Sequence, residues 1–172
     1  MRATVLCGSG DKRGVTRSMC ICASDCFVSK GIQTELFVLS DMDIRHCTDC
    51  DGCRSGSCVI EDDMRIIYDA LSGSDILILA SPIHFNGPSS LIKTAMDRFQ
   101  TNWYNDIPHP KVCIGFLCGG SPQPNFEITE RIFKAFSLTL GMEYKGSVKI
   151  GNTDESEPDV KGYVVPFLEG IL

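Results

Sequence analysis

Five short apolar runs, separated by stretches with helical periodicity, constrain the fold of this chain more than any other feature. Strands are predicted at Thr4–Cys7, Thr34–Leu39, Asp75–Ala80, Val112–Leu117 and Tyr144–Ile150. The third and fourth runs are apolar on both faces, which is typical of central strands in a parallel sheet covered by helices on each side. Alternation of this kind predicts a doubly wound α/β fold with right-handed crossovers.

The stretches between the strands have the spacing of amphipathic helices. They run from Met64 to Leu71, from Leu91 to Phe99 and from Ile128 to Leu140 before Gly141, with a weaker pattern over Thr16–Ser29. The tail from Asn152 fits either a last helix or a docking segment. These elements predict a flavodoxin-like three-layer sandwich of strand order 2-1-3-4-5, in which ligands bind beyond the carboxyl ends of the strands. We expect residues 1–172 to form one domain, with a cysteine-rich insert at 47–58.

Charge and cysteine content indicate which partners and which cell compartment to expect. The formal net charge of -6 argues against a nucleic-acid or anionic-membrane partner. The first apolar stretch is about one strand long and ends at glycine, so it predicts neither a signal peptide nor a membrane span. We therefore expect a cytoplasmic protein, in which the ten cysteines do not form a disulfide framework.

Loops after strands 1, 3 and 4 open on one edge of the predicted sheet and suit a phosphorylated aromatic ligand. Residues 7–18, CGSGDKRGVTRS, bring small residues and hydroxyls to the start of a helix, which favours a phosphate monoester. Residues 81–99 begin with a proline-bounded turn that either lies beside a flat ring or packs Phe85 in the core. Residues 118–121, CGGS, let the backbone approach a ring edge. An ordinary Gly- and Ser-rich turn remains an alternative for the first loop.

Four cysteines stand close together in the C-x2-C-x2-C-x4-C segment, at Cys47, Cys50, Cys53 and Cys58. Four thiolates this close can converge on one iron–sulfur cluster. Structural zinc also takes four cysteines, although its usual pairs are separated by a longer spacer. A thiol-rich loop without metal is the third interpretation. Because the segment follows strand 2, we expect it at the same sheet edge as the three loops.

The chain resembles the NADPH-dependent FMN reductase family, and in particular its iron–sulfur flavoprotein branch. The resemblance rests on GSGDKRGVT, on the cysteine segment followed by EDDM, and on SPIHFNGPSSLIKTAMDR. It implies FMN, a [4Fe–4S] cluster on the four cysteines, and a homodimer or higher homo-oligomer with the flavin near the interface. Trp103 and Tyr104 are candidates for that interface, and Asp97 and Arg98 are expected to pair locally.

The family motifs assign cofactor contacts residue by residue. The phosphate is expected at Ser9, Lys12, Thr16 and Ser18, and the ring at Pro82, Ile83, His84, Phe85, Asn86, Gly87, Cys118, Gly119 and Gly120. The chain has Ser9-Gly10-Asp11 where many members have Ser-Pro-Arg, so Lys12 or Arg13 is the candidate replacement for the lost arginine. His84 stands where tyrosine is frequent.

The resemblance implies an FMN-dependent oxidoreductase. Electrons come from NAD(P)H, or from a reduced carrier such as a ferredoxin-type protein, and pass to a small acceptor: a quinone, flavin, oxygen or peroxide. No catalytic side chain is expected, because the cofactor carries the chemistry. The alternative is a non-enzymatic electron carrier that works by docking partner proteins.

Overall fold

A computed structural model describes residues 1–172. The strands are β1 (Arg2–Cys7), β2 (Gln33–Val38), β3 (Ile76–His84), β4 (Gly87–Pro88), β5 (Val112–Cys118) and β6 (Glu143–Ile150). The helices are α1 (Val15–Ser29), α2 (Met64–Ser72), α3 (Ser90–Asp97), α4 (Gln100–Tyr104), α5 (Glu127–Thr139) and α6 (Val160–Glu169). Short 3-10 turns lie at Leu39–Asp41 and Gly52–Ser55. None of the helices combines the length and apolar composition that a bilayer crossing requires.

Five strands form a parallel sheet of order β2-β1-β3-β5-β6, and the two-residue β4 pairs antiparallel with the end of β3. Since β5 and β6 are the fourth and fifth predicted strands, the predicted flavodoxin-like order is confirmed. Successive residues of the central strands point to opposite faces of the sheet, so they contribute alternately to two cores. Val5 and Ile78 pack with α1 and α6 on one face, whereas Leu6 and Leu77 pack with α2, α3 and α5 on the other.

The tail after Asn152 contains a helix rather than an extended docking segment. In α6, Val164 and Leu168 are fully buried and join the core that α1 covers. On α1 the buried face includes Met19 and Phe27, while Val28 is exposed. The weak amphipathic pattern of α1 is thus explained by its small buried residues, because Cys and Ala fill the space between helix and sheet.

β3 is longer than predicted, and this changes the position of Phe85. Its last residues pair with the end of β5 and then with β4, where His84 faces Gly87. Phe85 and Asn86 form the two-residue turn, with φ angles of 50° and 64° that fit a type I′ hairpin. Phe85 is fully exposed, so the alternative that placed it in the core is wrong.

The predicted helix over 91–99 is interrupted after Asp97, and the expected local pair of Asp97 with Arg98 is also wrong. Asp97 accepts from Lys93 Nζ, one helical turn earlier. Arg98 turns inward and pairs with Asp62, which precedes α2. Side chains three or four residues apart share a helix face, whereas adjacent ones do not. Because Arg98 points inward, it does not lie on the polar face of the helix, where the sequence pattern places it.

Candidate functional site

A cavity of about 790 Å³ opens among the loops that follow the carboxyl ends of β1, β3, β5 and β6. The strand order reverses between β1 and β3, and such switch points are where open α/β sheets bind ligands. The volume lies within the range of cofactor and small-molecule pockets, roughly 300–1,000 Å³. The cavity is therefore large enough to take a mononucleotide.

The first wall of the cavity is the loop between β1 and α1. Gly14 precedes α1 and supplies no side-chain cap, and the backbone N–H of Ser18 is the first that bonds back, to Gly14 O at 3.1 Å. The N–H groups of the first turn are consequently free to donate to an anion, with the helix dipole favouring negative charge. Ser9 and Ser18 line the same wall.

Thr16 joins the first loop to the third. It is buried, and its Oγ1 lies 2.9 Å from the Sγ of Cys118 at the end of β5. Burial raises the pKa of the Cys118 thiol, although the hydrogen bond with Thr16 acts in the opposite direction. Cys118 thus remains a neutral thiol near pH 7. Both residues line the cavity, so this contact fixes the distance between its two walls.

A buried serine network fixes the first loop against the second. Ser89, the N-cap of α3, donates from Oγ to Gly8 O at 2.6 Å and accepts from Ile92 N at 3.4 Å. Its own N–H donates to Ser81 Oγ at 2.8 Å. A Cβ at Gly8 would lie 2.8 Å from Ile92 Cβ, so the close approach of loop and helix requires glycine there.

The segment after β6 forms a further wall that the sequence reasoning missed. Its backbone pairs with the third loop, since Asn152 N donates to Ser121 O at 2.8 Å and Asp154 N to Gly120 O at 3.2 Å. Asp154 lines the cavity with Asp11 and Glu157. The signal for this wall was available in the topology, because every loop that follows a parallel strand opens on the same edge.

Among the charged residues that line the cavity, acidic side chains outnumber basic ones. Asp11, Asp154 and Glu157 are the carboxylates, and Arg13 is the guanidinium. Lys12, the other candidate cation, is exposed and does not line the cavity. The backbone at Arg13 is held locally, because its backbone N–H donates to Asp11 Oδ1 at 2.9 Å. Arg13 is therefore the cation available to an anionic ligand.

The structure brings most of the predicted cofactor contacts to the cavity and leaves some outside. Those that line it are Ser9, Thr16, Ser18, Pro82, Ile83, His84, Cys118 and Gly120. Lys12, Phe85, Asn86, Gly87 and Gly119 do not line it. Phe85 to Gly87 belong to the hairpin, and Gly119 is a buried residue of the third loop whose N–H donates to Ile150 O at 2.9 Å. Ser89, Ser90 and Leu91 line the cavity although no contact was predicted for them.

The four cysteines of the 47–58 segment line one small hollow of about 30 Å³. Cys50 is exposed and the other three are half-buried. Burial first, and then the neighbouring Cys58, Cys47 and Cys50, raise the pKa of Cys53. No three His, Cys, Asp or Glu side chains stand in a metal-binding arrangement anywhere in residues 1–172.

The position of the cysteine segment after β2 predicted that it would lie at the same sheet edge as the cavity loops. The hollow, however, does not lie beside the cavity. Its other wall is formed by residues at the C-terminal end of α3 and in α4, such as Arg98 and Tyr104. The cavity instead touches the N-terminal end of α3, at Ser90. At 1.5 Å per residue the eight-residue helix separates the two by about 12 Å.

Residues 1–154 match the model of a known family, described as NADPH-dependent FMN reductase. The chain belongs to this family. Among curated relatives, an iron–sulfur flavoprotein of Methanocaldococcus jannaschii is 33% identical over 99 residues, 57% of this chain and 51% of the relative. One from Archaeoglobus fulgidus is 33% identical over 144 residues, 80% of this chain and 64% of the relative. The chain thus spans between about half and two thirds of the length of these FMN reductase relatives.

Solved structures share the flavodoxin-like fold of this FMN reductase family member at low sequence identity. An NAD(P)H:quinone oxidoreductase from Methanothermobacter marburgensis matches with a TM-score of 0.73 and 15% identity, over 96% of this chain and 91% of the other. An FMN-dependent NADH-azoreductase from Bacillus anthracis, in complex with FMN, matches with a TM-score of 0.68 and 13% identity, over 99% and 96%.

Proposed function

We propose that this chain is an FMN-dependent oxidoreductase that passes electrons from NAD(P)H, or from a reduced carrier, to a small acceptor such as a quinone. One observation carries the proposal: the cavity at the sheet's switch point combines an uncapped helix N-terminus with buried hydroxyl and thiol groups. An anion-binding helix end beside a broad hollow suits a ligand with one phosphate and a flat ring. The family assignment supports FMN as that ligand.

The residues present fit this cofactor. Ser9, Thr16, Ser18 and the first-turn N–H groups of α1 would hold the phosphate, with Arg13 as the neighbouring cation. The ring would be held by Pro82, Ile83, His84, Cys118 and Gly120, which line the rest of the cavity. Bound FMN would supply the redox chemistry, while the protein binds and orients it.

The setting of the protein is part of the same proposal. We infer that residues 1–172 act as one FMN-binding domain of a cytoplasmic homodimer or higher homo-oligomer. Trp103 supports an interface, because it is exposed beside Tyr104, over whose ring the Arg54 guanidinium lies at 4.3 Å. Azoreductase and quinone reductase structures of the same fold support a small-molecule acceptor.

We further propose that Cys47, Cys50, Cys53 and Cys58 bind one [4Fe–4S] cluster. The donor set fits, since all four thiols line the same hollow and four thiolates are the usual ligands of a cubane cluster. They do not stand in a metal-binding arrangement, so the four thiols must move together when a cluster binds. The names of curated relatives, iron–sulfur flavoproteins, support the proposal.

Two measurements test these proposals separately. Protein purified without oxygen and denatured should release FMN, and it should oxidise NADPH or NADH in the presence of a quinone. Release of FAD, or no flavin after incubation with FMN, would contradict the flavin proposal. Iron and sulfide assays with visible absorbance test the cluster, and Cys50→Ala should lose that absorbance and keep FMN. Zinc or no metal in the wild type would contradict the cluster proposal alone.

A further inference from the structure

Arg98 is a buried arginine whose ion pair uses only two of its three guanidinium nitrogens. The residue is 2% exposed, and the Asp62 side chain is 0% exposed. Arg98 Nη1 donates to Asp62 Oδ2 at 2.6 Å and Nη2 donates to Oδ1 at 3.1 Å, which is a two-pronged pair. Buried pairs of this kind add little net stability over apolar residues of the same size. Another role is needed to explain why the charges are here.

The same guanidinium contacts both ends of the cysteine segment. Arg98 Nη1 donates to Arg45 O at 2.8 Å, and Nη2 donates to Ile60 O at 3.5 Å. Each of these carbonyls lies two residues outside the segment, before Cys47 and after Cys58. Asp62 adds a further tie by accepting from Arg45 N at 2.9 Å. One ion pair therefore closes the loop that carries all four cysteines.

The remaining nitrogen of Arg98 has no hydrogen-bond partner. Its Nε is buried, although a buried N–H donor is normally satisfied. Arg98 lines the hollow together with the four cysteines. An arginine side chain keeps its positive charge in proteins. The guanidinium is therefore a cation in the wall of the hollow, with one N–H donor left over.

We propose that Arg98 is a positioning residue for the cysteine segment. It closes the segment by donating to Arg45 O and Ile60 O, and it donates its Nε–H to a sulfur atom of the cluster. The proposal rests on the cluster part of the proposed function. A cation and a hydrogen bond at the sulfurs of an iron–sulfur cluster are among the factors that set its reduction potential. Arg98 would accordingly hold the ligands and raise the potential of the cluster.

The test compares Arg98→Lys with Arg65→Lys after anaerobic loading with iron and sulfide. Lysine keeps the charge and loses both the planar fork and the Nε–H. Arg65 is the matched control because it is exposed and pairs with Glu61 outside the hollow. We expect Arg98→Lys to bind the cluster with about 10- to 100-fold lower affinity, measured by competition with a chelator. The midpoint potential of its cluster should be more negative than in the wild type. FMN content and the far-ultraviolet circular dichroism should match the control.

Hydrogen exchange of residues 45–60 in the cluster-free protein measures the closing role without a cluster. Arg98→Lys should speed exchange there and leave it unchanged around the FMN cavity. If Arg98→Lys does not fold, Asp62→Leu combined with Arg98→Met replaces the pair by apolar residues and serves instead. Equal chelator resistance, potential and exchange in variant and wild type would overturn the inference. A wild type that binds no cluster refutes the cluster proposal and the Nε–H role, whereas unchanged exchange refutes the closing role.

Discussion

Replacing Ser89 by alanine should destabilise the protein by about 2 kcal/mol. The change removes the N-cap of α3, which is worth about 1 kcal/mol. It also leaves the buried Gly8 carbonyl without the hydroxyl that donates at 2.6 Å, a loss of about 1–3 kcal/mol. Because one hydroxyl makes both contacts, the two losses are not fully additive. The first loop then loses its tie to α3, so FMN affinity should fall as well.

Urea unfolding of the FMN-free protein measures this effect, through a lower midpoint with an unchanged slope. Ser90→Ala is the matched control, because Ser90 is the next residue, is exposed and makes no side-chain hydrogen bond to the first loop. It should remain within about 0.5 kcal/mol of wild type. If Ser89→Ala also stays within that limit, the serine network does not hold the first loop, and the reasoning is wrong.

Three further predictions concern the cavity and the buried pair. Thr16→Val should weaken FMN binding by about 1.5–3 kcal/mol, because the phosphate loses a hydroxyl donor, whereas Cys118→Ala should change it much less; fluorescence titration with FMN measures both. Asp154→Asn should raise kcat/KM for an anionic quinone relative to a neutral one, since a carboxylate leaves the cavity wall. Burial raises the pKa of Asp62, but the hydrogen bonds that it accepts, chiefly from Arg98, together outweigh burial and lower that pKa below 3.8. The stability that the pair contributes is therefore present above pH 3.8 and is lost as the pH falls further. Acid unfolding of Asp62→Asn should not show this loss.

The sequence predicted the sheet well because its strands are buried on both faces. A run such as Ile76–Ala80 can be satisfied only between two helical layers, so periodicity and topology lead to the same fold. The end of β3 was not predictable in the same way. Pro82 suggests a loop, yet it continues the strand in register with Cys118, beyond the last pair that β3 makes with β1 at Ala80. Phe85 then lies at a hairpin tip, where backbone geometry rather than hydropathy decides its exposure.

The cavity was predicted at the level of loops and less well at the level of residues. Ser9 and Thr16 both belong to the predicted first loop, and both line the cavity. The exchange of Lys12 for Arg13 depends on a local turn, in which Asp11 accepts the Arg13 N–H. The wall at Asp154 depends on pairing with a loop more than 30 residues earlier, at Gly120. Contacts between distant segments leave no mark in local composition.

The two motifs EDDM and MDR are best understood as halves of one structural feature. They are read as separate signals in the sequence, 36 residues apart, but Asp62 of the first and Arg98 of the second form the buried pair that closes the cysteine segment. α3 begins at the FMN cavity with Ser90, and Arg98 directly follows its last residue. One short helix therefore sets the separation between the cavity and the cysteines. An insertion within α3 should alter that separation and the ion pair together, even though it changes no residue of either site.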